Sequence, residues 1–390
     1  MIVSAIAASL SVIGIAQALA GWAVTRRFVG RSRAAPVAGP AITVLKPLHG
    51  DEPLLEQALT TLCQQEHPAF QIVFGVQDPA DTAIPVVERL RVRFPALDIA
   101  LVIDPTCHGP NLKIGNLINM LPAARHDVLV IADSDLHVCP GYLNDLQTAL
   151  GEPGVGLVTT LYTGLPAFRR LPAVLGATQI THGFLPGALL ARAMGRRDCL
   201  GATMCLRRET LARIGGLPAL VDHLADDNVL GQRVRALGLD VRLADTVVAT
   251  TVPEASLAAL LRHELRWART IRALVPGAFA LSVLQYPIFW ATIAVFAAAG
   301  APWAMGLFAL AWLARAWAAV GIDRALAEKL ETLAFPAPVG LLPLRELLSV
   351  GVMLASHAGK KVDWRGHTMH AAGYDVASPS SHPAKGLHTR

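Results

Sequence analysis

Residues 128 to 135 read Val-Leu-Val-Ile-Ala-Asp-Ser-Asp, an apolar run of strand length that ends in two acids one residue apart. Side chains alternate across a strand, so an uninterrupted apolar run needs cover on both faces, as in a parallel sheet between helices. The run delivers Asp133 and Asp135 together to the carboxyl end of its strand. In open α/β sheets ligands bind at that edge, and paired carboxylates there suit a hard divalent cation with oxygen ligands.

Neighbouring segments repeat the pattern. Apolar runs at 42–46, 70–77 and 99–103 are separated by helix-length segments at 53–65 and 85–94. This alternation predicts an α/β domain over 41–255 with a doubly wound, mostly parallel sheet. Asp78 closes the second run, so it falls on the same edge as Asp133. Further on, the pattern predicts a helix at 140–150, a strand at 155–162, an apolar helical stretch at 166–195 containing His182, and a strand at 200–207. Asp226 and Asp227 open a helix, where acids favour the positive N-terminus.

The chain is 53% hydrophobic and only 16% charged, too apolar for an ordinary soluble enzyme. Ile2 to Val24 carries no charge and is long enough for the roughly 20 residues of a bilayer crossing. Ala18-Leu19-Ala20 looks like a signal-peptide cleavage site. No basic residue precedes the segment, however, and Arg26, Arg27, Arg31 and Arg33 follow it. The positive-inside rule therefore predicts an anchor over 1–25, a basic linker over 26–40 and a cytoplasmic domain beyond. Residues 256–274 place Arg262, Arg266 and Arg269 on one helical face and leucines on another, the pattern of an interfacial helix. A membrane hairpin is expected over 275–321, a third spanning or interfacial segment over 338–357, and a polar tail over 358–390. The net charge of +5 comes without a nucleic-acid signature, so it points to an anionic bilayer surface and a phosphate-bearing substrate. Five scattered cysteines with no C-x-x-C pair suggest a reducing compartment and no zinc site.

Taken together, Asp78, Asp133-Ser134-Asp135, Asp226-Asp227 and the run His263-Glu264-Leu265-Arg266-Trp267 before a membrane hairpin resemble inverting, membrane-bound glycosyltransferases with a GT-A (Rossmann-like) catalytic domain. That family carries D, D-x-D, D and (Q/R)-x-x-R-W. Lys46-Pro47-Leu48, Phe74 to Asp78, Asn111 to Leu117 and Leu224 to Asn228 bring the sequence closer to the ceramide-glucosyltransferase group. Within that group it is most similar to the bacterial hopanoid-biosynthesis-associated glycosyltransferases. The resemblance spans roughly residues 40–370.

It implies that Asp78 holds the nucleoside of a UDP-sugar, and that Asp133 and Asp135 bind its diphosphate through Mg²⁺ or Mn²⁺. Asp227, with Asp226 as the one-residue alternative, becomes the catalytic base. Arg266 and Trp267 close over the diphosphate and acceptor; His263 stands where the motif has Gln or Arg. Lys113, with Asn111 and Asn116, is expected near the nucleotide phosphates, His182 at an active-site histidine position, and Gly201 with Met204 on a sugar-pocket strand. The implied reaction transfers one hexose, N-acetylglucosamine from UDP-N-acetylglucosamine, to a hopanoid polyol in a bacterial inner membrane, with ceramide glucosylation the runner-up. A haloacid-dehalogenase-like phosphatase also uses an apolar strand ending in D-x-D and a later acid pair. That class carries D-x-D on its first strand with a lysine downstream, whereas here three strand units precede it and Lys113 lies upstream.

Overall fold

The computed structural model describes residues 1–31, 39–330, 335–359, 361–364 and 367–370, so part of the basic linker and most of the polar tail lie outside the described residues. After α1 (Ile2–Val29) the chain alternates through β1 (Ile42–Pro47), α2 (Leu55–Cys63), β2 (Phe70–Val76), α3 (Ile84–Arg93), β3 (Asp98–Ile103), α4 (Leu112–Met120) and β4 (Val128–Ala132). The four strands are parallel, with Leu45 of β1 opposite Val73 of β2 and Ile131 of β4. Val44 and Val130 face Leu59 of α2 and Val87 of α3, while Leu45 and Ile131 face Ile114 and Leu117 of α4. Both faces of β4 are thus covered, as its unbroken apolar run requires.

The second half is mixed. β5 (Leu136–His137), α5 (Tyr142–Leu150), β6 (Val155–Pro166), α6 (Leu171–Gln179), a π-turn at Ile180–Phe184, α7 (Leu185–Ala193), β7 (Thr203–Arg207), α8 (Arg208–Arg213), α9 (Asp226–Ala236) and β8 (Asp240–Val252) follow. The strand order is β3-β2-β1-β4-β7-β6-β8-β5. β7 is antiparallel to both β4 and β6, whereas β6 and β8 run parallel. β8 is absent from the sequence reading. Arg242, Asp240 and Asp245 interrupt its apolar pattern, and long-range pairing with β6 makes the strand.

α10 (Leu257–Leu274), α11 (Pro276–Leu281), α12 (Pro287–Ala297), α13 (Pro302–Leu330) and α14 (Leu342–Ala355) precede a short hairpin of β9 (Lys361–Trp364) and β10 (His367–His370). Three helical stretches, 2–29, 302–330 and 339–358, are long and apolar enough to cross a membrane, and 276–285 with 287–297 form a pair bent by 67°. Proline fits the first turn of a helix and cannot continue a preceding one, so Pro287 marks that break. α13 runs beyond the expected end at 321, because Asp323 and Arg324 end the apolar pattern without ending the helix.

α1 packs along α12 and α13. Ser11 donates through Oγ to the Pro287 carbonyl at 2.9 Å, and a Cβ on Gly14 would lie 2.6 Å from the Leu284 carbonyl oxygen, whereas one on Gly306 would meet nothing within 4 Å. The same substitution should therefore act oppositely at the two sites. Gly14→Ala is expected to lower the melting temperature in detergent, and Gly306→Ala to leave it unchanged or raise it by the helix preference of alanine, about 1 kcal/mol at most. Equal effects would mean that α1 does not pack as described.

Candidate active site

β4 ends at the carboxyl edge of the sheet, and three other elements bring charge to the same place. Asn111 caps α4, its Oδ1 accepting from the Ile114 N–H at 3.1 Å, while its Nδ2 donates to the His223 carbonyl at 2.8 Å and to Asp226 Oδ1 at 3.3 Å. One side chain thus joins the starts of α4 and α9. Lys113, in the first turn of α4, places Nζ 2.6 Å from Asp133 Oδ1 and 3.9 Å from Asp226 Oδ2. Burial opposes its charge, but Asp133, Asp226 and Asp227 outweigh that and raise its pKa.

The acids are not equivalent. Burial, and then the neighbouring Asp133, push Asp135 up to about 6; its Oδ2 accepts from Thr250 Oγ1 of β8. Asp226 is buried and tied to Asn111 and Lys113. Asp227 is only half-buried; burial, and then the charge of Asp226, push it up to about 7. A Cβ on Gly201 would lie 2.9 Å from Asp227 Oδ2, so only glycine leaves that oxygen clear.

Sequence reasoning missed several members. Lys46 ends β1 fully buried, and although Asp135 and Asp133 favour its charge, burial wins and brings it down to about 8. A lysine closing an apolar strand on the acidic edge was a legible signal. Glu52 accepts from Ser134 Oγ at 2.7 Å. Tyr162 of β6 is raised by burial and then by Asp227, Asp133 and Asp135, and it stacks on Phe184 at 4.7 Å. Thr250 and Tyr162 reach the site through strand pairing, which no local pattern encodes.

The remaining expected residues make their contacts outside the cluster of Lys113 and the acids. Asp78 is exposed after β2, its Oδ1 accepting from the Ala80 N–H at 2.8 Å. Asn116 is buried and donates to the Gly75 carbonyl at 2.8 Å. Met204 points into the core. His182 places Nε2 2.7 Å from Asp323 Oδ1 of α13. His263 pairs through Nδ1 with Glu254 and meets Trp267 edge-on. Trp267 packs on Val252 at the end of β8, two residues beyond the threonine that holds Asp135. Arg266 is half-buried beside it.

A divalent cation fits the chemistry of this donor set. Asp135 carries the electrostatic load of a close second carboxylate, which a dication relieves. Among the described residues no group of three or more His, Cys, Asp or Glu side chains could hold a metal by itself. Mg²⁺-type sites typically combine one or two carboxylates with substrate phosphates, so two acids suffice when a diphosphate supplies the rest.

The model for glycosyl transferase family 21 matches residues 6–374. The chain belongs to that family. Relatives of this family 21 chain include a ceramide glucosyltransferase of Komagataella phaffii, 32% identical over 28% of this chain and 23% of the relative. Ceramide glucosyltransferase 1 of Caenorhabditis elegans is 21% identical over 63% of this chain and 53% of the relative. The chain thus spans about half the length of the nematode relative and less of the yeast one. A solved mannosyltransferase of Pyrobaculum calidifontis, in complex with GDP-Man and Mn²⁺, superposes with a TM-score of 0.52 at 21% identity, covering 91% of this chain and 99% of that one. The fold is that of GT-A glycosyltransferases, and the phosphatase reading falls away.

Lys113 supplies positive charge to three acids at once. Without it the pKa values of Asp226 and Asp227 move further above the ordinary carboxylate value, and an acid raised on folding weakens the native state as pH rises through that interval. Lys113→Met should cost about 1–3 kcal/mol at pH 8 and less at pH 5. Melting curves in detergent at the two pH values check this; an equal deficit at both would remove Lys113 as the counter-charge.

Proposed function

We propose that this chain transfers a single hexose from a UDP-sugar, with inversion, to a hydroxyl of a membrane lipid. The observation that carries the reading is the division of labour among three acids at one sheet edge: Asp133 and Asp135 next to Lys113 and Lys46, and Asp227 apart with a raised pKa and a cleared oxygen.

Asp133 and Asp135 would hold Mg²⁺ or Mn²⁺, which would supply positive charge to stabilise the leaving diphosphate. Lys113 adds fixed positive charge beside them. Asp227 accepts the proton of the acceptor hydroxyl as the new bond to the sugar forms; a base near pH 7 is better matched to that task than an ordinary carboxylate. Asp226, tied to Lys113 and Asn111, raises the proton affinity of Asp227. Asp78 takes the nucleoside, with Asn116 bonded to the Gly75 carbonyl near the end of the strand that precedes it. Arg266 and Trp267, with His263 held by Glu254, border the diphosphate from the membrane side, and Gly201 leaves room beside the base. His182 secures the domain to α13.

Donor and acceptor follow from the sequence resemblance: N-acetylglucosamine from UDP-N-acetylglucosamine, and a hopanoid polyol in a bacterial inner membrane, with the catalytic domain cytoplasmic. The curated relatives, named as ceramide glucosyltransferases, favour a second reading, glucose to ceramide. Incubating membranes with each labelled UDP-sugar and each lipid decides between them by which glycolipid forms; phosphate release independent of UDP-sugar would contradict both.

Asp227→Asn should reduce transfer at least about 100-fold, the usual range for a lost general base, while UDP-dependent Mn²⁺ binding, read by EPR, is retained. Transfer surviving in Asp227→Asn but lost in Asp226→Asn would move the base by one residue. Because only the deprotonated carboxylate accepts a proton, kcat should rise as pH passes through about 7 and level off above it. A profile flat across that interval would sink the assignment.

A further inference from the structure

β6 connects the two ends of the proposed site. Midway along it, Thr159 Oγ1 accepts from the Leu200 N–H at 3.0 Å and donates to the Leu200 carbonyl at 2.7 Å. This anchors the residue before Gly201, the glycine that leaves Asp227 Oδ2 clear. Further along, Gly164 pairs with Thr250 of β8, whose Oγ1 bonds Asp135. Tyr162 stands between these two points. It pairs with Val248. Opposed residues of a parallel pair share a face, and alternate residues along a strand return to it, so Tyr162 and Thr250 project from the same side of the sheet.

The ring of Tyr162 is pinned. A Cβ on Gly164 would lie 2.4 Å from the Ala177 Cα, so glycine lets α6 settle directly on β6. The Gly164 N–H donates to Thr181 Oγ1 at 3.0 Å, and the π-turn that holds Thr181 also carries Phe184 onto the tyrosine ring, with centroids 4.7 Å apart and planes 27° apart. Ala173, Ala177, Ile180 and Val252 gather Tyr162, Phe184 and Trp267 into one apolar cluster. Phenylalanine would serve this packing equally well; the hydroxyl is what packing does not explain. It makes no hydrogen bond with the described residues, although a buried tyrosine hydroxyl usually finds a partner. After burial, the groups that raise its pKa are Asp227, Asp133 and Asp135, so the base and both diphosphate acids lie close to it.

We infer that the Tyr162 hydroxyl donates a hydrogen bond to a hydroxyl of the donor hexose and thereby helps select the sugar; this rests on the hexose-transferase reading above. In a single displacement with inversion, the acceptor oxygen, the anomeric carbon and the leaving oxygen lie in line. Asp227 marks the acceptor end of that line, and Asp133 with Asp135 the diphosphate end. A group close to all three acids therefore faces the sugar between them. A ring that cannot swing away holds its donor in one position, and a site built to bond a particular substrate hydroxyl rejects analogues that lack it.

The test uses the full chain in detergent micelles with ceramide and a hopanoid polyol as acceptors and UDP-N-acetylglucosamine and UDP-glucose as donors. A set of analogues of the transferred sugar, each lacking one hydroxyl, completes the comparison. Tyr162→Phe keeps the ring and its stack and removes the hydroxyl. It is expected to lower kcat/KM for the parent sugar about tenfold, the effect of one lost hydrogen bond, and by less than about twofold for the one analogue that lacks the bonded hydroxyl. Inhibition by UDP, which has no hexose, should be unchanged. UDP-dependent Mn²⁺ binding, read by EPR, verifies the fold; should the variant fail that check, Tyr162→Leu takes its place in the same comparison. An equal loss with the parent sugar and every analogue would reduce Tyr162 to a structural role and overturn the assignment. Unchanged kcat/KM for the parent, or UDP inhibition weakened in step with it, also overturns it and leaves the transferase reading standing. A wild-type protein that transfers neither sugar to either lipid overturns both.

Discussion

Holding several carboxylates together at one partly buried sheet edge is the constraint on which the rest of this structure depends. Like charges at close range repel strongly when water is excluded, and burial penalises each of them further. The fold meets this with two lysines from different strand units, Lys46 from beneath and Lys113 from the start of α4, 2.6 Å from Asp133. Thr250 and the amide of Asn111 add hydrogen bonds. The compensation is incomplete, and the remainder appears as raised proton affinity at Asp135 and Asp227. A dication beside Asp133 and Asp135 would relieve that load.

A second set of buried charges joins this domain to the apolar helices. Arg345 of α14 grips Glu264 of α10 through two bonds of 2.7 and 2.8 Å, and the adjacent Glu346 takes Arg315 of α13 at 2.9 Å. Glu346 also accepts from the N–H groups of Ile288 and Phe289, capping α12. Charges at such depth are costly unless paired; paired, they set where α10 lies, and α10 carries Arg266 and Trp267. The placement of that motif is thus decided partly by the last apolar helix, more than 70 residues downstream.

Much of the parallel half was legible because its strands are short, uninterrupted and separated by helix-length segments, so that local pattern and global position agree. Asp133, Asp135, Asp226 and Asp227 were readable for the same reason: each stands where an apolar run stops or a helix starts. β8 was not, since charged residues break its periodicity and its partner β6 lies about 85 residues away. Tyr162, Thr250 and Glu52 were invisible with it. His182 looked like a site residue, yet its partner is Asp323, a contact across 141 positions of sequence.

By itself, the amino-acid sequence determined that a helix-flanked sheet presents paired acids at its carboxyl edge, that an amphipathic Arg-Trp helix follows, and that several segments are long and apolar enough to cross a membrane. These are consequences of periodicity and of where charge is absent. Only the tertiary structure decided which acid keeps an open oxygen and which lysines balance the cluster. Those outcomes turn on burial and on distances between residues remote in sequence, and neither quantity exists until the chain is packed.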